Sequence, residues 1–210
     1  MRYHHVKFHL YADDTQMYLT FESSPDSSEL VKVMMEACVR DIIAWMTANM
    51  LKMNKDKTEF LVLNGHHRPL PPLTTISVRD EEINRSTKAR NIGEIYDTSM
   101  SMESHIMAIC MAAFYHLRNI SRIRSIQVPK RLKCLYTRLY PSSRLDYCNS
   151  LLYGLPKESL KKLQHVQNAA SRIVTHTRKC DHITPVLCQL HWLPIEERRV
   201  FKIVLLTLNA

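Results

Sequence analysis

Two adjacent carboxylates, Asp13 and Asp14, carry the sharpest chemical potential in this 210-residue chain. They close the run Tyr11-Ala12-Asp13-Asp14, which stands between an apolar approach (Phe8, Leu10) and a return that alternates Met17, Leu19 and Phe21. That alternation predicts a β-hairpin over Phe8 to Phe21 with both carboxylates at its tip. Hard oxygen ligands aimed by a hairpin can bridge divalent cations, the requirement of two-metal phosphoryl transfer. The alternative is turn chemistry alone, since aspartates at turns commonly bond to their own backbone and face water.

Other residue types invite chemistry less directly. Lys57 stands just before an apolar segment, where a cation could offset phosphate charge or simply be solvated. Arg118, Arg122, Arg124, Lys130, Arg131 and Lys133, with Tyr136, Arg138, Tyr140 and Arg144, interleave basic and aromatic side chains. Such a segment could track a phosphate backbone and stack on bases, and helical geometry lets only part of it share one face. Cys180, His182, Cys188 and His191 have a spacing that matches no common structural zinc site. No Ser-His-Asp or Cys-His arrangement for nucleophilic catalysis is legible.

The elements that must position these residues fall into two halves. After the hairpin, Asp26 is the expected helix N-cap with Glu29 three residues on. Leu30, Met34, Ala37, Cys38, Ile42 and Trp45 form the expected buried stripe. Thr58 to Leu63 reads as a strand, Gly65 to Pro72 as a proline-rich loop, Thr75 to Ile83 as a hairpin, and Asn91 to Tyr96 as a further strand. From Ser101 the period becomes 3.6, with helices through Ile106 to Ile120, from Pro129 with a kink at Pro141, on to Leu152, and then from Pro156, Pro185 and Pro194. The expected fold is α+β: a small antiparallel sheet with a packed helix over residues 1–98, followed by an all-α helical bundle over 99–210.

Composition agrees with a globular chain: 45% hydrophobic and 23% charged residues. Only 3 glycines occur where about fifteen would be average, which argues against a glycine-rich nucleotide loop and for few tight loops. The six cysteines form no C-x-x-C pair and read as reduced core residues. No apolar leader follows Met1 and no run approaches the ~20 residues of a membrane span, so the expectation is an intracellular protein, nuclear or cytoplasmic, neither secreted nor membrane-bound. Of the net charge of +9, residues 101–210 hold 17 Lys and Arg against 6 Asp and Glu, whereas residues 1–100 hold 12 against 14. A polyanion-binding second half fits that asymmetry, and so does a merely solvated basic face.

Ordered motifs join these readings. Tyr11-Ala12-Asp13-Asp14-Thr15-Gln16, then Trp45, Asn49-x-Leu51-x-x-Asn54-x-x-Lys57-Thr58-Glu59 and Ala89-Arg90-Asn91-Ile92-Gly93 succeed one another in the first half. Ala113-Phe114-Tyr115-His116-Leu117-Arg118-Asn119-Ile120, Ser143-Arg144-Leu145-Asp146-Tyr147-Cys148-Asn149, Leu163-Gln164-x-Val166-Gln167-Asn168-Ala169-Ala170 and Leu190-His191-Trp192-Leu193-Pro194 follow in the second. In order and spacing the set resembles the reverse transcriptases (RNA-directed DNA polymerases) of non-long-terminal-repeat, LINE-like retrotransposons, over essentially the whole chain.

The resemblance implies a partial polymerase palm followed by a thumb. It implies that Asp13 and Asp14 bind Mg²⁺ or Mn²⁺, that Tyr11 lies near the primer end, and that Lys57 lies near the incoming triphosphate as a general acid. It further implies that the strands around Gly93 grip the primer and that an RNA or DNA template-primer is the partner. Two departures qualify it: the family's third catalytic aspartate belongs on an upstream strand, whereas only ten residues precede Tyr11, and Glu94 stands where the family has a small apolar residue. The expectation is therefore a truncated segment that binds metal weakly or not at all, does not polymerise alone, and self-associates through an uncovered palm edge. A nucleic-acid-binding helical module and a basic protein-interaction scaffold are the alternatives.

Overall fold

Hairpin register decides where the aspartates stand. A computed structural model describes residues 4–65, 69–79, 81–123 and 145–208, and divides the chain into two compact units, 1–100 and 101–210. In the first unit β1 (Lys7–Tyr11) pairs antiparallel with β2 (Asp14–Tyr18), placing Tyr11 opposite Asp14 across a two-residue turn. The return strand stops at Tyr18 rather than at Phe21, because β1 begins at Lys7, which faces Tyr18, and offers nothing opposite Leu19.

Helix α1 (Pro25–Ala48) follows, capped by Ser24 and not by Asp26. Ser24 Oγ accepts the Ser27 N–H at 3.2 Å, and Pro25 takes the first helical position, where its missing N–H costs nothing. The buried face is Val31, Cys38, Val39 and Ile43; of the expected stripe Cys38 is buried and Met34, Ala37 and Ile42 are half-buried, whereas its outer members Leu30 and Trp45 are 61% and 62% exposed. The two stripes differ by about one residue, or 100°, and both have helical spacing. Packing chose between them: Glu36 Oε1 accepts the Ser77 N–H at 2.8 Å and so fixes the rotation of α1 against the sheet.

Among the described residues that sheet is one of three small ones, not a single antiparallel layer. β4 (Thr75–Val78) and β5 (Glu81–Ser86) form the expected hairpin, and the short β3 (Phe60–Leu61) joins β5 in parallel, giving the order β3-β5-β4. The strand expected through Asn91 to Tyr96 is instead a hairpin, β6 (Lys88–Asn91) and β7 (Glu94–Asp97), because Ile92 and Gly93 both take positive φ. Val39 and Ile43 of α1 meet Ile76 and Val78 of β4 in a core that Met17, Met35, Met53, Phe60 and Ile83 extend.

The second unit is helical among its described residues. α2 (Glu103–Ile123) buries Ile106, Ile109, Cys110, Ala113 and Leu117 and packs along α3 (Lys157–Thr175), which buries Leu160, Leu163, Val166, Ala170 and Val174. α4 (Ile183–Leu190) and α5 (Ile195–Leu208) complete it, and Asn149–Leu152 is a 3₁₀ turn rather than the end of an α-helix. Pro185 sits inside α4, two residues after its start. The helix expected from Pro129, with its kink at Pro141, lies outside the described residues. The protein is thus mixed α+β, and no described helix is long and apolar enough to cross a membrane.

Cysteine placement departs from expectation. Cys38 and Cys110 are buried, but Cys180 and Cys188 are exposed and Cys148 is half-buried, all without a disulfide. Burial pushes the thiols of both Cys38 and Cys110 above their ordinary value near 9.0, with Lys162 opposing the effect at Cys110. A thiol held protonated by the fold stabilises it fully below the unfolded-chain pKa and loses that contribution as pH rises through the folded values. Urea unfolding midpoints should therefore fall as pH climbs above about 9, and fall less when both residues are replaced by Ala. Brief alkylation of the native protein, read by mass spectrometry, should label Cys180 and Cys188 before Cys38 and Cys110.

Candidate functional site

Alternation along the first hairpin divides its side chains between two duties. Phe8, Leu10, Thr15 and Met17 share one face, and Met17 packs on the α1–β4 core, its sulfur 3.9 Å from Cys38 Sγ. Asp14 and Gln16 share the other face. The tip itself is in solvent: Tyr11 is 64% exposed, and Ala12, Asp13 and Asp14 are exposed too. Of the two turn residues only Ala12 has positive φ, +52°, the sign pattern of a type II′ hairpin with alanine where glycine is usual.

Hydrogen bonds tie this hairpin to the other motif segments of the first unit. Asn91 Nδ2 donates to Gln16 Oε1 at 3.1 Å, joining β2 to the Gly93 hairpin. The Arg90 N–H donates to Glu59 Oε2 at 2.7 Å, joining that second hairpin to the segment of Lys57. In a strand, residues two apart lie on one face about 7 Å apart, so the Gln16 contact lies on the Asp14 side of the hairpin. Lys57 itself ends a 3₁₀ turn, Lys55–Lys57, and is exposed. Local roles account for its neighbours: Asn49 caps α1, its Nδ2 donating to the Trp45 carbonyl at 2.8 Å, and Thr58 Oγ1 donates to the Asn54 carbonyl at 3.0 Å.

Gly93 has a backbone reason of its own. With φ of +46° at Ile92 and +84° at Gly93, the β6–β7 connection has the signs of a type I′ turn, which only glycine and asparagine enter readily. A β-branched Ile92 there is a strained choice. Glu94, the departure noted in sequence, is buried, 3% exposed, at the start of β7 opposite Asn91.

Chemically, the tip offers two adjacent carboxylates open to solvent. No group of three or more His, Cys, Asp or Glu side chains among the described residues is arranged to hold a metal ion, whether around Asp13 and Asp14 or in the Cys180 to His191 segment. Mg²⁺ commonly binds through one or two carboxylates plus substrate phosphates, so the pair can serve as a partial ligand set whose remaining ligands must come from substrate and water. A shallow hollow of about 250 Å³ beside Ser28, Glu29, Lys32 and Leu73 includes none of the candidate residues.

In the second unit Arg118 and Arg122 are exposed on α2, whereas Arg124, Lys130, Arg131 and Lys133 lie outside the described residues. Several other cations are turned inward. Arg198 Nε donates to the Leu193 carbonyl at 2.8 Å while its Nη1 lies 2.8 and 2.7 Å from the two oxygens of Asp146. Buried Gln167 donates to the same Leu193 carbonyl at 2.8 Å, and Gln164 Oε1 accepts the Ile195 N–H at 2.9 Å, satisfying a first-turn donor of α5. Arg199, only 9% exposed, donates to the Leu152 carbonyl at 3.0 Å and lies over the Tyr153 ring at 5.3 Å. Sequence reasoning gave these residues no role. The available signal was Gln167, a polar side chain at helical spacing from Leu160, Leu163, Ala170 and Val174 on a core face.

Two substitutions test this geometry. Ile92→Asn supplies the residue that a type I′ turn prefers before glycine and should raise unfolding stability by about 0.5–1 kcal/mol in urea titrations. Arg198→Lys should cost about 1–2 kcal/mol, because one ammonium cannot reach both the Leu193 carbonyl and the Asp146 carboxylate. Comparison with protein-family models, with curated proteins and with solved structures finds no match for this chain, so the site rests on its own residues and geometry.

Proposed function

We propose that this chain is a retrotransposon-derived reverse-transcriptase segment, distal palm plus thumb, whose ancestral reaction is template-directed DNA synthesis by two-metal phosphoryl transfer. The observation that carries the reading is the convergence in the first unit: Asp13 and Asp14 on a hairpin tip whose Gln16 holds Asn91 beside Gly93, while Arg90 holds Glu59 beside Lys57. Three segments separated in sequence and singled out by one resemblance are joined by hydrogen bonds, as parts of one site require. In this reading the two aspartates bind Mg²⁺ or Mn²⁺, Tyr11 meets the primer end, and Lys57 neutralises pyrophosphate as it leaves. The edge of β1 is where an aspartate-bearing strand pairs in that family, and it is also the route by which two copies would associate.

A second reading, a nucleic-acid-binding helical module, is favoured by one observation: residues 101–210 carry 17 basic against 6 acidic side chains, with Arg118 and Arg122 exposed together on α2. The two readings agree on the partner and differ on chemistry.

No third metal-ligating side chain joins the two carboxylates among the described residues, which leaves one metal under-coordinated, so these 210 residues should give no template-dependent nucleotide incorporation with Mg²⁺ or Mn²⁺. Primer extension on a homopolymer template is the measurement. Incorporation that disappears in Asp13→Ala would show that the two aspartates suffice. Absence of any RNA or DNA binding at about 50 mM salt would overturn both readings.

A further inference from the structure

Helix α2 has a second face that the described residues leave exposed. Its buried stripe runs through Ile106, Ile109, Cys110, Ala113 and Leu117. At about 100° per residue, Met107, Met111, Phe114, Tyr115, Arg118 and Arg122 fall within about 100° of one another on a different side. All six are exposed: Met111 by 69%, Tyr115 by 63% and Phe114 by 43%, so two aromatic rings and two methionines stand in water on one helix face. A solvated helix face ordinarily carries charged and polar residues instead.

The stripe is graded along its length. Apolar and aromatic side chains occupy the middle turns, and guanidinium groups follow one and two turns later, Arg118 four residues after Phe114 and Arg122 four after Arg118. Tyr115 is braced from the side: the His116 ring meets it edge-on, with centroids 5.4 Å apart and planes at 77°. Aromatic rings accept the face of a base, and arginines one or two turns away accept phosphate oxygens. A base pair inside a duplex offers neither top nor bottom face, because both are covered by its neighbours. A single strand offers them at little cost.

We infer that the Phe114–Tyr115–Arg118–Arg122 face of α2 is a docking surface for single-stranded nucleic acid, with bases stacked on the two rings and the backbone held by the two arginines. The occupant follows from complementarity: this unit has 17 Lys and Arg against 6 Asp and Glu, and the arginines lie on the same stripe as the rings. The inference deepens the nucleic-acid reading proposed above and narrows it to a single strand. It does not involve Asp13 or Asp14.

The test uses the full chain and a short fluorescent oligothymidylate, with the matching oligothymidylate–oligoadenylate duplex as competitor. Tyr115→Ala and Phe114→Ala should each weaken single-strand binding at least about fivefold with little change in salt dependence, since stacking is worth about 1–3 kcal/mol per base and releases no counterions. Tyr115→Trp should restore binding. Arg118→Gln should instead lower the log-log salt slope by about 0.7. Both rings are exposed, so helical circular dichroism should match the parent in every variant. The proposal is overturned if the ring variants bind as the parent does, if the duplex competes as well as the single strand, or if the parent binds neither and the stripe variants abolish self-association, which would make the face a protein contact. Binding that survives in the ring variants while remaining salt-dependent would sink this surface and leave the broader nucleic-acid reading standing.

Discussion

A pair of carboxylates at the tip of a hairpin is only as well aimed as the hairpin that carries it, and an isolated two-stranded hairpin is marginally stable in water. Here the hairpin is held from both of its faces. Met17 anchors one face in the core of α1 and β4, and the Asn91 to Gln16 hydrogen bond holds the other against the Gly93 hairpin. His4 adds a contact to Asp41 of α1 at 2.6 Å just before β1 begins. Remove these ties and the aspartates remain in sequence but lose their direction relative to Lys57 and Gly93. Hence the geometry of the candidate site depends on side chains that would never touch a metal or a substrate.

The second unit divides its cations between two uses. Arg198 and Arg199 are drawn inward to carbonyls, a carboxylate and a ring, where they tie α5 to Asp146 and to the Leu152–Tyr153 end of the 3₁₀ turn, while Gln164 and Gln167 tie α3 to the start of α5. Lys162 pairs with Glu103 at 2.8 Å, joining α3 to α2, and Lys161 pairs with Glu158 at 2.6 Å along α3. These exposed lysine pairs contribute little to stability, whereas the part-buried Arg198 contacts would leave polar groups unsatisfied if broken. Pairing does not erase the net charge. It concentrates the uncommitted part on surfaces such as the exposed face of α2, where Arg118 and Arg122 stand beside aromatic rings.

Scarcity of glycine has a cost that composition alone misreads. Three glycines suggested few tight turns, yet ten non-glycine residues among those described take positive φ, including Ala12, Arg79, Ile92, His176 and His191. His176 and His191 end α3 and α4 in the left-handed conformation that glycine usually supplies. At His191 the reversal lets the Trp192 N–H reach the Leu187 carbonyl at 2.9 Å and directs Trp192 into the core. Tertiary contacts therefore hold several turns in conformations their own residues disfavour, at roughly 1 kcal/mol each.

How much was legible follows from the range of each interaction. Local patterns named the first hairpin and its tip, the β4–β5 hairpin, the core stripes of α2 and α3, and the change from strand-rich to helical chain near residue 100, because alternation and 3.6-residue spacing report burial over a few neighbouring residues. They placed Asp13 and Asp14 at the tip, since the residues that join two alternating segments must stand where the chain reverses. They could not tell which of two equally periodic faces α1 would bury, because the deciding contact, Glu36 to the Ser77 backbone, spans 41 residues. Nor could they pair Gln16 with Asn91, 75 residues away, or Asp146 with Arg198, 52 residues away. Spacing within an element is written in the sequence. Hydrogen bonds between elements depend on how side chains meet after the chain has packed, and only the tertiary structure decided them.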